Sequence, residues 1–419
     1  MSGLRSAVVW GGAQTGIRLA LGLVSIKVAA LIIGPIGVAL VGQLANVLSL
    51  LSGVIGNAIQ TAVVKGTASE QAAGRAMPLG LWGTAARWLA GLSLVVAAVM
   101  VLASSRLAQW MFDDAGLGWV VALAAAVLPL TVLFQWLQGV LTGLKDFRLV
   151  AITQIVSSLI GVAIVVGLTL HSGLPGALAG TALASASSFV VAMAWVRHAG
   201  LPQVAASLKR WQPDSLGPMI AHYPMLLVHS ASVPLAALFV RSMLIDRVGV
   251  AEAGLWQAAT RITDNYTIVI PTILSMYVMP TLAGMRGTAR FRAAVFRMAL
   301  GAAVLVAAMA SAVFIWREWI VGVLLSEAFR PVSELLTWML IGDVFRMATW
   351  PLRSALVVQD RAFAYMLVEA GAAVCQIATT YALLESQGMQ AAPVAYCLTW
   401  AVVLVVVVLL HARHASSNQ

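Results

Sequence analysis

The chain has 419 residues, of which 61% are hydrophobic and only 10% are charged. This balance leaves too little polar surface to cover a soluble fold, whereas apolar stretches of roughly 20 residues can cross about 30 Å of hydrocarbon as helices. The net charge of +10 could indicate nucleic-acid binding, but the basic residues lie in short connections between apolar runs, where they indicate membrane topology. Composition therefore predicts an all-α membrane protein and excludes a soluble enzyme.

Twelve apolar runs follow one another along the chain, and each is long enough to form a spanning helix. They cover residues 7–31, 36–63, 79–103, 117–140, 149–170, 175–197, 215–242, 250–280, 291–316, 332–357, 361–384 and 389–411. Alternate connections lie on opposite sides of the membrane. Fourteen basic residues fall on one side and five on the other, with Arg353 counted in the first group and Arg241 in the second. Because Lys and Arg are enriched in cytoplasmic loops, this bias predicts that both termini are cytoplasmic.

The two cysteines indicate no special chemistry. Cys375 and Cys397 both lie inside predicted spans, which suggests neither a disulfide framework nor a zinc site. The chain also shows no nucleotide-binding motif, so any energy source would be a gradient or the downstream use of a product. We therefore expect no metal, no cofactor and no catalytic residue.

The longest connection follows the sixth span and divides the chain. It predicts an N-terminal six-helix bundle at 1–200, a cytoplasmic linker at 201–214 and a C-terminal six-helix bundle at 215–419. A weak internal repeat supports this division. A shift of 214 residues superposes three pairs of identical residues, namely Gln43 on Gln257, Trp136 on Trp350 and Asp146 on Asp360. Because each half has an even number of spans, the repeat predicts a pseudo-two-fold axis along the membrane normal.

Polar side chains recur at helical spacing on the second span of each half. Gln43 and Asn46 begin the stripe in the first half, and Gln257 begins the equivalent stripe in the second. Such residues also let helices pack closely and hydrogen-bond to each other, which is the structural alternative. The amides at equivalent places in both halves favour the lining of a shared cavity.

Eight ionisable residues lie at membrane depth, where each is costly unless it faces water, a partner or a cargo. They are Arg18, Lys27, Arg87, Arg261, Asp264, Asp343, Arg346 and Glu369. The five cations outnumber the three acids, which favours an anionic cargo, and the planar fork of arginine suits phosphate because it bonds two oxygens at once.

Sequence spacing leaves the partners of these charges open. Two pairs, Arg261 with Asp264 and Asp343 with Arg346, are spaced i, i+3 and could neutralise each other on one helix face. Glu369 has no basic residue at i±3 or i±4. It could take up and release a proton, or it could hydrogen-bond to another helix.

The cations of the first half have no such neighbour. Arg18 is the stronger candidate for a cavity, because Lys27 lies near the outer end of its span and could extend to the interface. Arg87 lies in the inner third of its span and could equally reach the lipid headgroups.

Short motifs in a fixed order carry a resemblance to a known family. They are Gly34-Pro35, Gly254-Leu-Trp-Gln257, Ile262-Thr-Asp264, Tyr277-Val-Met-Pro280-Thr-Leu282, Leu324-Leu-Ser326, Gly342-Asp-Val344 with Arg346, Glu369, and the nine-residue spacing of Arg18 and Lys27. Over nearly its whole length the chain resembles the Wzx-type lipid III flippases of enterobacterial common antigen synthesis. These belong to the multidrug/oligosaccharidyl-lipid/polysaccharide exporter superfamily.

The resemblance implies a V-shaped pair of six-helix bundles around a cationic cavity that alternates between inward-open and outward-open states. It implies that an undecaprenyl-diphosphate-linked oligosaccharide, either lipid III or a similar repeat unit such as that of an O-antigen, is flipped from the cytoplasmic to the periplasmic leaflet of the bacterial inner membrane. The implied partners are membrane lipids, protons that couple transport to the gradient, and polysaccharide-assembly proteins of the same membrane.

The residues divide into two expected roles. The expected substrate-binding residues are Arg18, Lys27, Arg87, Arg261, Gln43, Asn46 and Gln257, and the residues expected to couple transport or balance charge are Asp264, Asp343, Arg346 and Glu369. In this hypothesis the diphosphate meets the cations while the prenyl tail stays in lipid.

Three other classes stay open at this point. A multidrug antiporter of the same superfamily would need a net acidic pocket for a cationic drug. A membrane-embedded glycosyltransferase or polymerase would need a large outer loop, and none of the outer connections is long. A structural subunit of a membrane complex would have little use for eight ionisable residues at membrane depth.

Overall fold

The computed structural model describes residues 2–74, 76–199, 201–212, 223–267, 282, 285, 288 and 290–416. Within these ranges the regular structure is helical, and no strand occurs. The α-helices described are α1 (Ser2–Ile32), α2 (Gly34–Ala72), α3 (Leu79–Leu102), α4 (Ser104–Phe112), α5 (Gly118–Gly143), α6 (Phe147–His198), α7 (Pro202–Ser207), α8 (Tyr223–Arg247), α9 (Val250–Thr267), α10 (Phe291–Ile315), α11 (Arg317–Leu324), α12 (Val332–Val358), α13 (Ala362–Gln387) and α14 (Ala391–Ser416). The predicted all-α class is confirmed.

Eight helical stretches of the described chain are long and apolar enough to cross a membrane. Two of them contain two predicted spans each. Helix α6 has 52 residues, but Gly173 inside it has φ 60° and ψ −132°, so the backbone breaks between the predicted spans 149–170 and 175–197. The stretch Ala362–Ala412 joins α13 and α14. Helix α12 is also of spanning length, with 27 residues.

The chain divides into two compact units. The first unit comprises Met1–Ile33 and Leu40–Pro234, and the second comprises Gly34–Ala39 and Leu235–Gln419. The start of α2 therefore belongs to the second unit, while the rest of that helix belongs to the first. The sequence-based domain boundaries and the pseudo-two-fold axis stay predictions. Residues 213–222, which include the end of the predicted linker and the start of the seventh predicted span, lie outside the described ranges.

Two tryptophans organise the core of the first unit. Trp82 on α3 and Trp136 on α5 are both fully buried. The Trp82 indole Nε1 donates to the hydroxyl of Thr67 on α2 at 2.8 Å, and Trp136 Nε1 donates to the backbone carbonyl of Trp82 at 3.0 Å. Each indole thus buries its N–H group in a hydrogen bond. Together the two hydrogen bonds join α2, α3 and α5.

The internal repeat is visible at one turn of each unit. Lys145 (φ 59°) lies in the turn after α5, and Asp360 (φ 58°) lies in the turn after α12. The same two backbone hydrogen bonds surround each residue, in the pattern of a Schellman motif. Since these equivalent residues are 215 positions apart, the 214-residue register is wrong here by one residue. The structural counterpart of Asp360 is Lys145 and not Asp146.

Because Gly254 has no side chain, the backbone of α9 lies directly against the backbone at the beginning of α2. A Cβ atom built on Gly254 would lie 1.9 Å from the carbonyl oxygen of Pro35 and 2.6 Å from its carbonyl carbon. These are backbone atoms and cannot rotate away as a flexible side chain could. Both residues belong to the second unit, so this contact fixes the segment Gly34–Ala39 to that unit.

We expect Gly254→Ala to lower the free energy of unfolding by about 1–3 kcal/mol, because the added methyl group overpacks the contact. Gly301→Ala is the matched control, since no atom lies within 4 Å of its built Cβ and alanine is the better helix former. Thermal unfolding of the purified proteins in detergent measures both effects. A melting temperature of Gly254→Ala equal to that of wild type would contradict the contact.

Candidate functional site

Charged and aromatic side chains of the second unit meet on four helices. Beyond Glu334 in its first turn, helix α12 carries its charges at spacings of three and seven residues, which places them on one face. We define the α12 charge cluster as Asp264 and Tyr266 of α9, Asp343, Arg346 and Arg353 of α12, Glu369 of α13, and Tyr396 and Trp400 of α14.

Asp343 is the fully buried acid of the cluster. Tyr266 Oη donates to its Oδ2 atom and Tyr396 Oη donates to its Oδ1 atom, each at 2.6 Å. Because the tyrosines belong to α9 and α14, the carboxylate joins three helices, and each of its oxygens has a donor. Sequence spacing left an ion pair between Asp343 and Arg346 open, and the structure instead gives Asp343 two tyrosine hydroxyls, although the two charges remain within electrostatic range.

Arg346 has three neighbours but is not enclosed. Its Nη1 atom lies 3.6 Å from Oδ1 of Asp264 and donates to the Tyr396 hydroxyl at 3.3 Å, while its guanidinium carbon lies 5.8 Å from the centre of the Trp400 ring. The side chains of Arg346 and Asp264 are 24% and 56% exposed. Sequence spacing also left a pair of Arg261 with Asp264 open, but within the described residues the ion pair of Asp264 is with Arg346.

Arg353 and Glu369 form a buried ion pair between α12 and α13. The Arg353 guanidinium carbon also lies 5.1 Å from the centre of the Trp400 ring, which is the ring that Arg346 contacts. Two predictions are corrected. Glu369 is not a lone carboxylate, because its partner comes from the preceding helix, and Arg353 does not lie in a cytoplasmic connection.

Three of the predicted cargo-binding cations belong to the first unit. Arg18 and Arg87 are exposed, and Lys27 is half-buried. The Arg87 guanidinium carbon lies 5.8 Å from the centre of the Trp211 ring. Neither Arg18 nor Arg87 has an acidic partner among the side chains that the structure describes. In the second unit, Arg261 is exposed on α9.

Gln43 and Gln257, which the predicted repeat pairs, share a structural property. Their side chains are 2% and 4% exposed, and in each the Oε1 atom has no hydrogen-bond partner among the described atoms. A buried acceptor without a donor costs about 1–3 kcal/mol, so a hydroxyl or N–H group of a ligand would be favourable there. Asn46 is half-buried on the same helix as Gln43.

The sequence reasoning missed Arg241. The charge count placed it in an outer connection, but it lies inside α8, is fully buried, and has its guanidinium carbon 5.7 Å from the centre of the Trp256 ring. The signal was available, because Arg241 and Arg353 both lie within their apolar runs. With these two, the five predicted cations become seven against the same three acids. The two tyrosines gave no signal, because their carboxylate partner is set by tertiary packing.

We expect Glu369→Gln to lower the free energy of unfolding by about 3–5 kcal/mol, because Arg353 would keep a buried charge without its counter-ion. Glu385→Gln is the matched control on the same helix. Glu385 is 85% exposed and lies 3.5 Å from Arg247, so its loss should cost less than about 1 kcal/mol. Thermal unfolding in detergent compares the two variants. Equal effects would contradict a structural role for the buried pair.

Comparisons with known proteins identify sequence relatives of the chain. Residues 83–334 match the sequence profile of a family described as polysaccharide biosynthesis protein. Over 403 residues the chain is 28% identical to the lipid III flippases of Escherichia coli (strain K12) and Shigella flexneri, which covers 95% of this chain and 96% of each relative.

Solved structures show the same fold at low sequence identity. An inward-facing multidrug resistance MATE family transporter of the MOP superfamily superposes with a TM-score of 0.74 at 15% identity, covering 96% of this chain and 95% of its own. An outward-facing MATE family transporter gives 0.70 at 14% identity, covering 98% and 96%. A MOP superfamily transporter from Pyrococcus furiosus, reported to have a binding pocket of reverse polarity, gives 0.68 at 14% identity, covering 100% and 98%.

MATE transporters have twelve helices in two bundles, which confirms the predicted architecture of about twelve spanning helices. The sequence relatives are flippases, so the chain is a transporter and not an enzyme. Since the matched segment exceeds half of the 419 residues, the chain belongs to the polysaccharide biosynthesis protein family.

Proposed function

We propose that the chain is a flippase that moves an undecaprenyl-diphosphate-linked oligosaccharide across the bacterial inner membrane by alternating access. One observation carries the proposal. Each acid of the α12 charge cluster already has a protein partner: two hydroxyl groups for Asp343, Arg353 for Glu369 and Arg346 for Asp264. The other cations of the described spans therefore leave an excess of positive charge, which an anionic cargo would neutralise.

The sequence relatives support the choice of cargo. The two lipid III flippases match this chain over 95% of its length, so we propose lipid III or a similar repeat unit as the glycan. The prenyl tail would stay in the bilayer while the headgroup passes. The charge bias of the connections supports cytoplasmic termini, with transport toward the periplasmic leaflet. Assembly proteins in the same membrane would use the product.

We assign the cations to the oxyanion groups of the cargo and the buried amides to its sugar hydroxyls. The assigned residues are Arg18, Lys27, Arg87 and Arg261 for the oxyanions, and Gln43, Asn46 and Gln257 for the hydroxyls. Arginine is favoured for a diphosphate because its fork donates two parallel hydrogen bonds. The orphaned Oε1 atoms of Gln43 and Gln257 would gain the donors they lack.

Coupling to the proton gradient is part of the proposal, with Asp343 as the proton acceptor. Its direct hydrogen-bond partners are the neutral hydroxyls of Tyr266 and Tyr396. Protonation would turn one acceptor oxygen into a donor and would reverse one of the two interhelical hydrogen bonds, because a tyrosine hydroxyl can also accept. Glu369 is the weaker candidate, because its protonation would leave Arg353 with a buried, unpaired charge.

The multidrug antiporter is the rival that the fold alone leaves open. A cationic drug needs an acidic pocket, whereas the acids of the α12 charge cluster are already occupied. A glycosyltransferase or a structural subunit would give the excess of cations no role. Efflux of cationic drugs without any effect on lipid-linked glycans would establish the antiporter.

We expect depletion of the protein to cause one undecaprenyl-diphosphate glycan to accumulate in the cytoplasmic leaflet, because its exit would be blocked. Complementation with Arg18→Ala should restore transport at least about tenfold less well than wild type, since one charge-assisted contact is worth about 1.5–3 kcal/mol. Arg106→Ala, at an exposed outer position of α4, should restore it fully. Unchanged glycan pools after depletion would rule the function out.

We expect an imposed pH gradient to accelerate flipping in proteoliposomes that hold the wild-type protein, and not in those that hold Asp343→Asn. Asparagine keeps the size of the side chain and can still hydrogen-bond to both tyrosines, but it cannot take up the proton. Asp246→Asn, at an exposed position of α8, is the control. A membrane-impermeant glycan-labelling reagent measures flipping. Full gradient dependence in Asp343→Asn would eliminate this residue as the coupling site.

A further inference from the structure

The two arginines of the α12 charge cluster are neutralised in different ways. Arg353 is buried with Glu369. Arg346 is partly exposed, and its distance of 3.6 Å from Asp264 exceeds that of a strong charge-assisted hydrogen bond, which is about 2.7–2.9 Å. A guanidinium group has five N–H donors. Among the described residues, the hydrogen bond of the Arg346 side chain is the one to Tyr396. Most of its donor capacity is therefore left for another acceptor.

Tyr396 and Trp400 hold Arg346 in place while using only one of its N–H donors. Tyr396 is fixed by its own hydrogen bond to Asp343. Its ring packs tightly against α12, since a Cβ atom built on Gly342 would lie 2.5 Å from the Tyr396 Cδ1 atom. Trp400 lies beneath the guanidinium group. Arginine in such a preorganised position loses little entropy when it binds an oxyanion.

Asp264 can leave Arg346 at low cost. Its side chain is 56% exposed, and its distance of 3.6 Å from Arg346 is too long for a strong charge-assisted hydrogen bond. The Asp264 carboxylate also resembles the cargo chemically, because the planar guanidinium group of arginine can donate two parallel hydrogen bonds either to a carboxylate or to a phosphate. An internal anion of this kind neutralises a cation until an anion of higher affinity displaces it.

We propose that Asp264 holds the place of the cargo on Arg346 in the empty carrier, and that an oxyanion of the arriving headgroup displaces it. The inference rests on the proposed function and adds Arg346 to the binding residues. The oxyanion is either the diphosphate or the carboxylate of an acidic sugar. The affinity of the carrier is then set by a competition, with Asp264 as the internal competitor.

Binding of inorganic pyrophosphate and of glucuronate to the purified full-length protein in detergent tests the competition. Asp264→Asn should bind the matching probe about two- to fivefold more tightly than wild type, because the competing charge is gone. Arg346→Gln should bind it more weakly, and adding Asp264→Asn to Arg346→Gln should change nothing further. Asp246→Asn removes an exposed acid from α8 and should leave affinity unchanged. A gain with pyrophosphate identifies the diphosphate, and a gain with glucuronate identifies a sugar acid.

Two results would overturn the inference while leaving the flippase function intact. One is an equal gain from Asp264→Asn with and without Arg346, which would show a general field effect and no competition for one guanidinium group. The other is no gain for either probe in Asp264→Asn. If Arg346→Gln does not fold, Arg346→Lys takes its place in the cycle, where the point charge of lysine should reduce the gain from Asp264→Asn. Failure of the function itself would appear separately, as unchanged glycan pools after depletion.

Discussion

A charged side chain inside a bilayer must find a partner, and this constraint explains the arrangement of the second unit. Helix α12 places three charges on one face, and none of their partners comes from α12 itself. Hydroxyl groups of α9 and α14 satisfy Asp343, a carboxylate of α13 neutralises Arg353, and a carboxylate of α9 lies near Arg346. Without a hydrophobic force between helices in lipid, such polar contacts add to close packing in holding neighbouring helices together.

Trp400 links the two arginines of the α12 charge cluster. Its ring lies against both Arg346 and Arg353, so one aromatic side chain contacts the exposed cation and the buried one. The buried pair with Glu369 fixes the geometry, because breaking it would leave an uncompensated charge. Arg346 is partly exposed and lies farther from its carboxylate, at 3.6 Å from Asp264. The partly exposed cation and the buried one thus lie about two turns apart on a single helix face.

The positions of the spanning helices, which depend on segment length and hydropathy, were predicted well from the sequence. Ten of the twelve apolar runs lie wholly within the described residues and are helical there, the runs 215–242 and 250–280 being described only in part. The break at Gly173 separates two predicted spans within α6. The sequence predicted poorly which charges pair, because i, i+3 spacing permits a contact but does not require it. Tyr266 and Tyr396 lie 77 and 53 residues from Asp343 in the chain, and no local pattern indicates such partners.

The same limit explains the two misplaced arginines. Arg241 and Arg353 were assigned to connections from their nearness to span ends, but tertiary packing buries them beside Trp256 and Trp400. The correction removes one residue from each side of the charge count, so the bias that predicts cytoplasmic termini survives it. The single-residue error in the repeat has a similar cause. Identical residues such as Asp146 and Asp360 suggested the register, whereas the turn is defined by backbone conformation at Lys145 and Asp360.

A carrier must bind its cargo well enough to admit it and weakly enough to release it. Seven cations against three acids would hold a diphosphate too firmly if every guanidinium group were free, because each charge-assisted hydrogen bond contributes about 1.5–3 kcal/mol. The described cations differ in this respect. Arg353 is fully committed to Glu369, Arg346 is loosely shared with Asp264, and Arg18 is exposed without an acidic partner in the described chain. In the proposed mechanism this gradation offers an anion only part of the charge of a strongly basic transporter, so the headgroup can leave as readily as it enters.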